Sequence, residues 1–224
     1  MENKKEKKVV KHLQFFYNAE NMVLEDVSFE IQGGEILCKN GMNGAGKTTA
    51  SYSILPEMLE CTQFINSDEI AKELSSQSRG IKFEATRIML ARMYALIEEG
   101  SDFAFETTLA TKTFKAIIKK AKDKGYKVTL VFFWLDTPEL ALRRVQERVE
   151  HGGHDVPKDV VYRRYVAGMR YLSQIYIPIA DYWMIIDNSN KPFKLIADGA
   201  KEEVLNVYYD DVFNQIITDG KLRN

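Results

Sequence analysis

The sequence predicts a doubly wound α/β domain with a mostly parallel sheet, and three observations carry this prediction. Predicted strands alternate with predicted helices along most of the 224 residues, in segments too far apart for hairpins. One segment, KVTLVFFWL (127–135), is so continuously apolar that it indicates a central strand covered on both faces. A glycine-rich loop lies between a strand and a helix. These patterns together favour βαβ units with helices on both faces of the sheet.

The chain is predicted to start with a basic segment and an antiparallel β-hairpin, together residues 1–38, ahead of a main domain over residues 39–224. In MVLEDVSFEI (22–31) apolar and polar residues alternate, as they do in a strand with one buried face. Two glycines then turn the chain into a second strand, EILCKNG (35–41). We therefore expect these two strands to pair with each other.

Local signals continue the alternation after the glycine loop. The segment KTTASYSILPEMLE (47–60) is predicted to be a helix that kinks or stops near Pro56, and TQFIN (62–66) a short strand. Ser67 and Asp68 then stand where the N-cap of the next helix belongs.

An amphipathic helix follows, and then a strand and another helix. Apolar residues at helical spacing predict a helix that ends at Gly100; they are Phe83, Ile88, Leu90, Met93, Leu96 and Ile97. DFAFE (102–106) is the next strand, and TFKAIIKKAKDKG (113–125) is a helix that ends at a glycine. This order of elements is typical of a βαβ unit.

Two basic helices separated by a loop are predicted after the central strand. PELALRRVQERVE (138–150) opens with proline in its first turn, HGGHDVP (151–157) is a flexible loop, and a second helix runs from about residue 157 to 174. YWMIIDNS (182–189) is a last buried strand, and KEEVLNVYYDDVFNQII (201–217) is a closing helix.

The glycine loop carries the pattern G-x-x-x-x-G-K-[ST] in the context in which that pattern binds phosphate. Its glycines let backbone amides turn toward phosphate, and the helix N-terminus adds its positive end. Lys47 would reach the β and γ phosphates, and Thr48 would bind Mg²⁺. We therefore predict ATP and Mg²⁺ as cofactors. The predicted nucleotide-binding residues of the loop are Gly41, Asn43, Gly44, Ala45, Gly46, Lys47, Thr48 and Thr49.

Residues 23–50 resemble the opening of an ABC-type ATPase, in which a hairpin precedes the phosphate loop. An ABC domain also needs an LSGGQ-like signature, an apolar strand ending in Asp-Glu and a later switch histidine, and we find none of them in this sequence. The strand VFFWLD ends in Asp136, but Thr137 follows it instead of glutamate, so the catalytic base of a hydrolase is missing. An ABC-like ATPase that couples hydrolysis to a partner protein is kept as the alternative function.

Three further segments carry a second resemblance, which extends over residues 41–190. FINSDEI ends a strand in an aspartate, FAFETT contains Glu-x-Thr, and RVEHGGHDVPKDVVYRRY places arginines around a loop. These segments resemble the strand end, the substrate-binding motif and the lid of the zeta-toxin-like P-loop kinases. Small bacterial proteins of this kind are often described as predicted ABC-type ATPases. The resemblance implies transfer of phosphate to a hydroxyl of a small molecule, such as UDP-N-acetylglucosamine, and an antitoxin as a candidate partner.

Three residues at strand ends are predicted to face the acceptor. Asp68 follows Lys47 by about twenty residues, which in a parallel sheet places it at the carboxyl edge beside the phosphate loop. As a catalytic residue it would accept or orient the proton of the acceptor hydroxyl, and a plain helix N-cap is the alternative. Glu106 and Thr108 end another strand, and the resemblance assigns them to substrate binding, with helix capping as the alternative.

The predicted lid, about residues 143–170, concentrates arginines that could stabilise charge on a transferring phosphoryl group. They are Arg143, Arg144, Arg148, Arg163, Arg164 and Arg170. By the resemblance Arg148 and Arg164 are the catalytic pair, and Arg163 is a close rival assigned to substrate binding. Which of Arg163 and Arg164 faces phosphate stays open, and arginines on surface helices also serve solubility.

Other polar residues of the loops carry weaker signals. Asn188 follows the last strand, where P-loop kinases contact adenine, and is assigned to the nucleotide. His151 and His154 flank two glycines, and we predict no metal site from them because loop histidines outside a cluster are more often structural or solvated.

Composition bounds the class of partner. With 31 basic and 32 acidic residues the net charge is -1, which gives no footprint for nucleic acid and disfavours a nucleic-acid end kinase. No segment reaches the length of a membrane span, and the charged start MENKKEKK is not a signal peptide. Cys38 and Cys61 show no metal-ligand spacing. We therefore expect a cytoplasmic protein without a nucleic-acid or membrane partner.

Overall fold

The computed structural model describes residues 7–18, 21–32, 35–41, 63–74, 81–153 and 155–222. Its strands are β1 (Lys7–Asn18), β2 (Asn21–Gln32), β3 (Glu35–Gly41), β4 (Phe64–Asn66), β5 (Phe103–Thr107), β6 (Lys127–Trp134), β7 (Tyr182–Asp187), β8 (Lys194–Ala200) and β9 (Glu203–Val207). Its helices are α1 (Ser67–Glu73), α2 (Ile81–Glu99), α3 (Thr113–Asp123), α4 (Pro138–Glu150), α5 (Lys158–Tyr171), α6 (Ile177–Ile179) and α7 (Asp210–Leu222), with a π-helical turn, Leu172–Tyr176, between α5 and α6.

Seven strands form one mixed sheet in the order β4-β5-β3-β6-β7-β8-β9. The first five strands in this order are parallel, and β8 and β9 are antiparallel to their neighbours. In β6 only Lys127 is exposed and the next seven residues are buried, as expected for a strand covered on both faces. The predicted α/β fold with a mostly parallel sheet is therefore confirmed.

The N-terminal hairpin differs from the predicted one. β1 pairs with β2 in a separate two-stranded antiparallel sheet, with Lys7 opposite Gln32 and Asn18 opposite Asn21. β3 lies between β5 and β6, whose parallel ladders occupy both of its edges. The predicted pairing of the segments 22–31 and 35–41 is therefore wrong, because β3 has no free edge for β2. The division of the chain at residue 38 stays a prediction.

The C-terminal segment also differs from the predicted one. The closing helix predicted over 201–217 is wrong in its first half, which forms β9 and pairs with β8. The hairpin is held by a buried carboxylate, since Asn206 and Tyr208 donate to Asp198 at 3.1 to 3.2 Å. The helix α7 begins only at Asp210. The two valines of β9 favour a strand, and a strand can form hydrogen bonds with the backbone N–H and C=O groups along the edge of β8, whereas a helix cannot.

The long helix predicted to end at Gly100 is confirmed as α2, although not all of its apolar residues face the core. Met93 and Ile97 are fully buried, whereas Phe83 is 78% exposed. Gly100 follows the helix with a φ of 73°, a conformation that favours glycine. None of the helices in the described ranges combines the length and apolarity that crossing a membrane requires.

Candidate active site

Several of the predicted site residues lie at the carboxyl edge of the parallel strands. β3 ends at the buried Gly41, the first residue of the phosphate-loop pattern. Asn66 at the end of β4 is the register partner of Glu106 in β5. Because parallel strands all end at the same edge, the segments after β3, β4 and β5 start there together. The loop residues Asn43, Gly44, Ala45, Gly46, Lys47, Thr48 and Thr49 and the helix predicted over 47–60 lie outside the described residues.

Asp68 is not the N-cap of its helix. The cap of α1 is Asn66, whose side-chain oxygen accepts a hydrogen bond from the Asp68 amide at 2.8 Å. The prediction that Ser67 and Asp68 occupy the cap is therefore wrong by one to two residues. Asp68 lies in the first turn with an exposed side chain. The Asp68 carboxylate therefore does not serve as the cap, and its catalytic role stays a prediction.

Asp68 of α1 and Arg164 of α5 are electrostatic neighbours. Arg164 is half-buried, and burial lowers the pKa of its guanidinium because desolvation disfavours the charged form. The Asp68 carboxylate opposes this shift, and the adjacent Arg163 reinforces it. The fold therefore brings a predicted base and a predicted lid arginine into electrostatic range from distant positions in the sequence.

Glu106 is held at the end of β5 by the neighbouring strand. It is 8% exposed, and its Oε2 accepts a hydrogen bond from Nδ2 of Asn66 at 3.3 Å. Thr108, two residues on, is half-buried, and its carbonyl oxygen lies 3.5 Å from where a side chain on Gly168 would begin. Helix α5 therefore passes close to Thr108, just after the end of β5.

The loop between α4 and α5 closes tightly on the end of α4. The Gly153 amide donates to the Arg148 carbonyl at 2.8 Å, and Gly152 has a φ of 79°. A side chain on Gly153 would lie 2.5 Å from Cγ of Arg148, so the position requires glycine. Arg148 itself is exposed in the last turn of α4. This loop therefore fixes the backbone that carries one of the two predicted catalytic arginines.

The two loop histidines differ in what the structure shows of them. Nδ1 of His151 lies 2.7 Å from the Glu147 carbonyl oxygen, an interaction within the last turn of α4. This contact agrees with a structural role. His154 lies outside the described residues. Within those residues, no group of three or more His, Cys, Asp or Glu side chains could hold a metal ion.

Arg163 and Arg164 point in different directions from α5, since successive helical residues are about 100° apart. Arg163 is exposed and lines an open pocket of about 340 Å³ together with Tyr162, Val166, Ala167 and Arg170. Arg164 is half-buried and lies within electrostatic range of Asp68. Arg163 therefore lines a pocket on α5, whereas Arg164 is partly desolvated within electrostatic range of Asp68. Which of the two faces phosphate stays open.

Arg144 has a role that the sequence did not indicate. Its Nη1 donates to the Asn188 carbonyl at 2.7 Å and its Nη2 to the Ser189 carbonyl at 3.0 Å. Burial lowers its pKa. Asn188 is itself buried, and its backbone N–H donates to the Trp134 carbonyl. This arginine therefore fastens helix α4 to the loop after β7, where Asn188 was assigned to the nucleotide. No spacing rule predicts such a contact across 44 residues.

Comparison with known proteins gives a family match and two structural likenesses. The family model described as Zeta toxin matches residues 40–191. An uncharacterized protein of Haemophilus influenzae is 31% identical over 126 residues, which are 56% of this chain and 88% of the relative. The crystal structure of AvrRxo1-ORF1 with ORF2 and ATP has a TM-score of 0.65 at 17% identity and covers 83% of this chain, which spans only 64% of the AvrRxo1 chain.

The second structure is that of the PezAT toxin-antitoxin system of Streptococcus pneumoniae. It has a TM-score of 0.53 at 21% identity and covers 84% of this chain and 85% of its own. At these identities the two structures show a common fold, in which the α/β sheet described above is shared.

Proposed function

The chain belongs to the zeta toxin family of P-loop kinases, and on that premise we propose that it transfers the γ-phosphoryl group of ATP to a hydroxyl of a small molecule. The observation that carries this proposal is the position of Asp68, directly after the end of β4, at the carboxyl edge of the sheet where β3 ends in the first residue of the phosphate-loop pattern. Arg164 of α5 lies within electrostatic range of Asp68. A carboxylate and a partly desolvated guanidinium beside the strand that feeds a phosphate loop are the two groups that phosphoryl transfer to an alcohol needs.

Asp68 is the proposed base. As the acceptor oxygen forms its bond to the γ phosphorus, the hydroxyl proton moves to the Asp68 carboxylate and the bond to the β–γ bridging oxygen breaks, releasing ADP. Exposure of the side chain at the start of α1 leaves room for an acceptor. A positioned base of this kind contributes about 10²- to 10⁴-fold to the rate.

Arg164 is the proposed stabiliser of the transferring group. A guanidinium that has already lost part of its water interacts more strongly with developing negative charge than one in bulk solvent. Arg148 is proposed as the second lid cation because it lies in the last turn of α4, just before the loop that leads to α5. Arg163, which lines the outer pocket, is proposed to bind substrate instead.

The nucleotide is proposed to bind where β3 ends. Gly41 is the buried terminus of a central strand, and the chain continues from it to β4 on one side of the sheet and later to β6 on the other, which makes this a topological switch point. Lys47 and Thr48 follow in the loop and would hold the phosphates and Mg²⁺. When bound, Mg²⁺ neutralises charge on the β and γ phosphates. Asn188 is proposed to lie near adenine.

The acceptor and the partner are proposed from the family. Glu106 is hydrogen-bonded to Asn66 at the end of β4, and the Thr108 carbonyl lies close to Gly168 of α5. We propose that these two residues bind the acceptor, and UDP-N-acetylglucosamine is the proposed compound. The two similar structures are named as complexes of AvrRxo1-ORF1 with ORF2 and as a toxin-antitoxin system. We extend this to a protein antitoxin as the partner of the present chain.

The test is to incubate the protein with γ-labelled ATP and either UDP-N-acetylglucosamine or a metabolite extract, and to identify the labelled product. Transfer of the label to a sugar hydroxyl supports the proposal. A Lys47→Ala variant serves as the control, since it removes the only side-chain cation of the loop and should abolish transfer. Release of free phosphate alone, with turnover that rises on dimerisation, would instead favour the ABC-like ATPase.

A further inference from the structure

We propose that Asn66 is a positioning residue that sets the distance between the proposed base Asp68 and the proposed acceptor-binding Glu106. The inference rests on the proposed function. Asn66 is the last residue of β4, and its side chain makes one hydrogen bond toward each of these two residues. Asn66 is 6% exposed, and its hydrogen bond to Glu106 is buried.

The first bond orients the helix that carries the base. Oδ1 of Asn66 accepts from the Asp68 amide at 2.8 Å, and the Asn66 backbone is extended, with φ of -132° and ψ of 122°. Helix α1 has only 7 residues, too few to be stable by its own backbone bonds. A side-chain cap therefore decides where the first turn, and with it the Asp68 carboxylate, lies.

The second bond orients the acceptor side. Nδ2 of Asn66 donates to Oε2 of Glu106 at 3.3 Å, and the two residues are direct register partners in the parallel ladder of β4 and β5. A carboxylate that is only 8% exposed needs hydrogen-bond donors in place of the water that it has lost. The Asn66 amide supplies one such donor and holds the Glu106 carboxylate at the same end of the sheet as Asp68.

Asparagine is suited to this position because its one short amide is both acceptor and donor. Aspartate has the same size and keeps the acceptor, but it has no proton to donate when ionised. Loss of the donor would leave two carboxyl groups about 3 Å apart, and such a pair shares one proton because like charges at that distance cannot both ionise. The variant N66D therefore keeps an acceptor for the Asp68 amide and removes the donor to Glu106.

We expect N66D to retain the cap of α1 and to acquire a pH-dependent defect in acceptor binding. At low pH the shared proton replaces the amide donor; as pH rises and the pair loses that proton, repulsion displaces Glu106. The KM for UDP-N-acetylglucosamine, relative to the wild type, should rise by about tenfold between roughly pH 6 and pH 8, which equals one bond's worth of differential binding. The affinity for Mg²⁺-ATP should stay within about twofold, a change too small to reflect a lost bond.

Two further variants distinguish a positioning role of Asn66 from a general folding defect. Asn66→Ser keeps a capping oxygen but shortens the side chain, so it should raise the acceptor KM at all pH values without the pH trend. Thr137→Ala removes the equivalent cap of α4, whose hydroxyl accepts from Leu140 at 3.2 Å, and should lower stability without raising the acceptor KM. If N66D does not fold, the comparison of these two variants still separates a positioning role from a structural one.

Failure of this inference can be distinguished from failure of the proposed function. If the wild type transfers no phosphate to any small molecule, the kinase proposal fails and this inference fails with it. If the wild type is active and N66D and Asn66→Ser both keep its acceptor KM and pH profile, only the role of Asn66 is overturned. A fall in kcat and Mg²⁺-ATP affinity with no change in acceptor KM would also overturn it.

Discussion

The Arg144 guanidinium donates to the carbonyl oxygen of Asn188 at 2.7 Å and so ties helix α4, the first helix of the predicted lid, to the loop after β7. A second bond from the same group to Ser189 makes the contact bidentate. Ser189 also accepts from the Asp136 amide at 2.8 Å, so the ends of β6 and β7 are joined through this loop. These bonds therefore connect the first helix of the predicted lid to the proposed adenine side of the site.

Removal of this guanidinium should cost both stability and nucleotide affinity. Arg144→Ala leaves two buried carbonyl oxygens without their donor, and we expect a loss of about 1–3 kcal/mol in the free energy of unfolding. The Kd for ATP should rise because Asn188 loses its anchor. Denaturant unfolding and calorimetry measure the two effects. Arg143→Ala, one residue earlier and exposed, is the control and should change stability by about 0.5 kcal/mol or less.

Asp68→Asn should preserve Mg²⁺-ATP binding and lower phosphoryl transfer by about 10²- to 10⁴-fold, because the amide cannot accept the acceptor proton. Glu69→Gln removes a carboxylate from the same first turn and is the matched control for effects on the helix dipole. Transfer rates with labelled ATP check both variants. An unaltered rate in Asp68→Asn would remove Asp68 from the chemistry, because capping is already performed by Asn66.

Arg164→Ala should lower kcat by about 10²- to 10³-fold, the usual effect of losing one donor to transition-state charge. Arg163→Ala should act mainly on the KM of the acceptor, since Arg163 lines the outer pocket and not the Asp68 side of α5. Steady-state kinetics on both variants resolve which of the two neighbours faces phosphate. The reverse pattern, with kcat lost only in Arg163→Ala, would exchange their roles.

How much of the site could be predicted depended on the range of the interactions involved. The buried run of β6 and the loop at Gly41 indicate a parallel sheet and a phosphate site through local composition alone. The pairing of β2 was mispredicted because it depends on which strand edges the rest of the sheet leaves free. Arg144 was counted among six arginines, and only its tertiary contact with Asn188 separates it from the others.

The cap of α1 was missed for a different reason. Asn, Ser and Asp are all good capping residues, and three of them follow one another at 66–68. Which of the three residues caps the helix depends on where β4 ends, which is at Asn66. It also depends on Glu106, which accepts a hydrogen bond from the Asn66 side-chain amide and so orients that side chain. A sequence pattern specifies neither, so the boundary was displaced along the chain.

Acidification should remove the stabilisation that comes from the ion pairs of Glu98 with Lys120 and Lys124, which join α2 to α3. The hydrogen bond from Lys120 and then that from Lys124 lower the pKa of Glu98 from 4.5 to about 2. Because the folded-state pKa is depressed, the stabilisation is present above about pH 4.5 and is lost as pH falls toward about 2. The difference in melting temperature between the wild type and Glu98→Gln should therefore shrink over that interval.

High salt at neutral pH should reduce the same difference, since the groups are exposed. A difference that does not depend on pH would exclude the ion pairs as its source.

Deletion of the N-terminal strands separates the kinase from the ABC-like alternative. β1 and β2 form their own two-stranded sheet, whereas β3 has β5 and β6 on its two edges and does not need them. A chain that lacks residues 1–32 should then bind ATP and transfer phosphate within a few-fold of the full chain.

Deletion of residues 1–20 alone leaves β2 with an unpaired edge, and we expect that shorter deletion to be the less soluble of the two. Size-exclusion chromatography and calorimetry with ATP compare the two truncations. A chain without residues 1–32 that folds normally but no longer binds ATP would mean that the hairpin contacts the nucleotide, as it does in ABC domains, and the coupling of ATP hydrolysis to a partner protein would then be the better account of this chain.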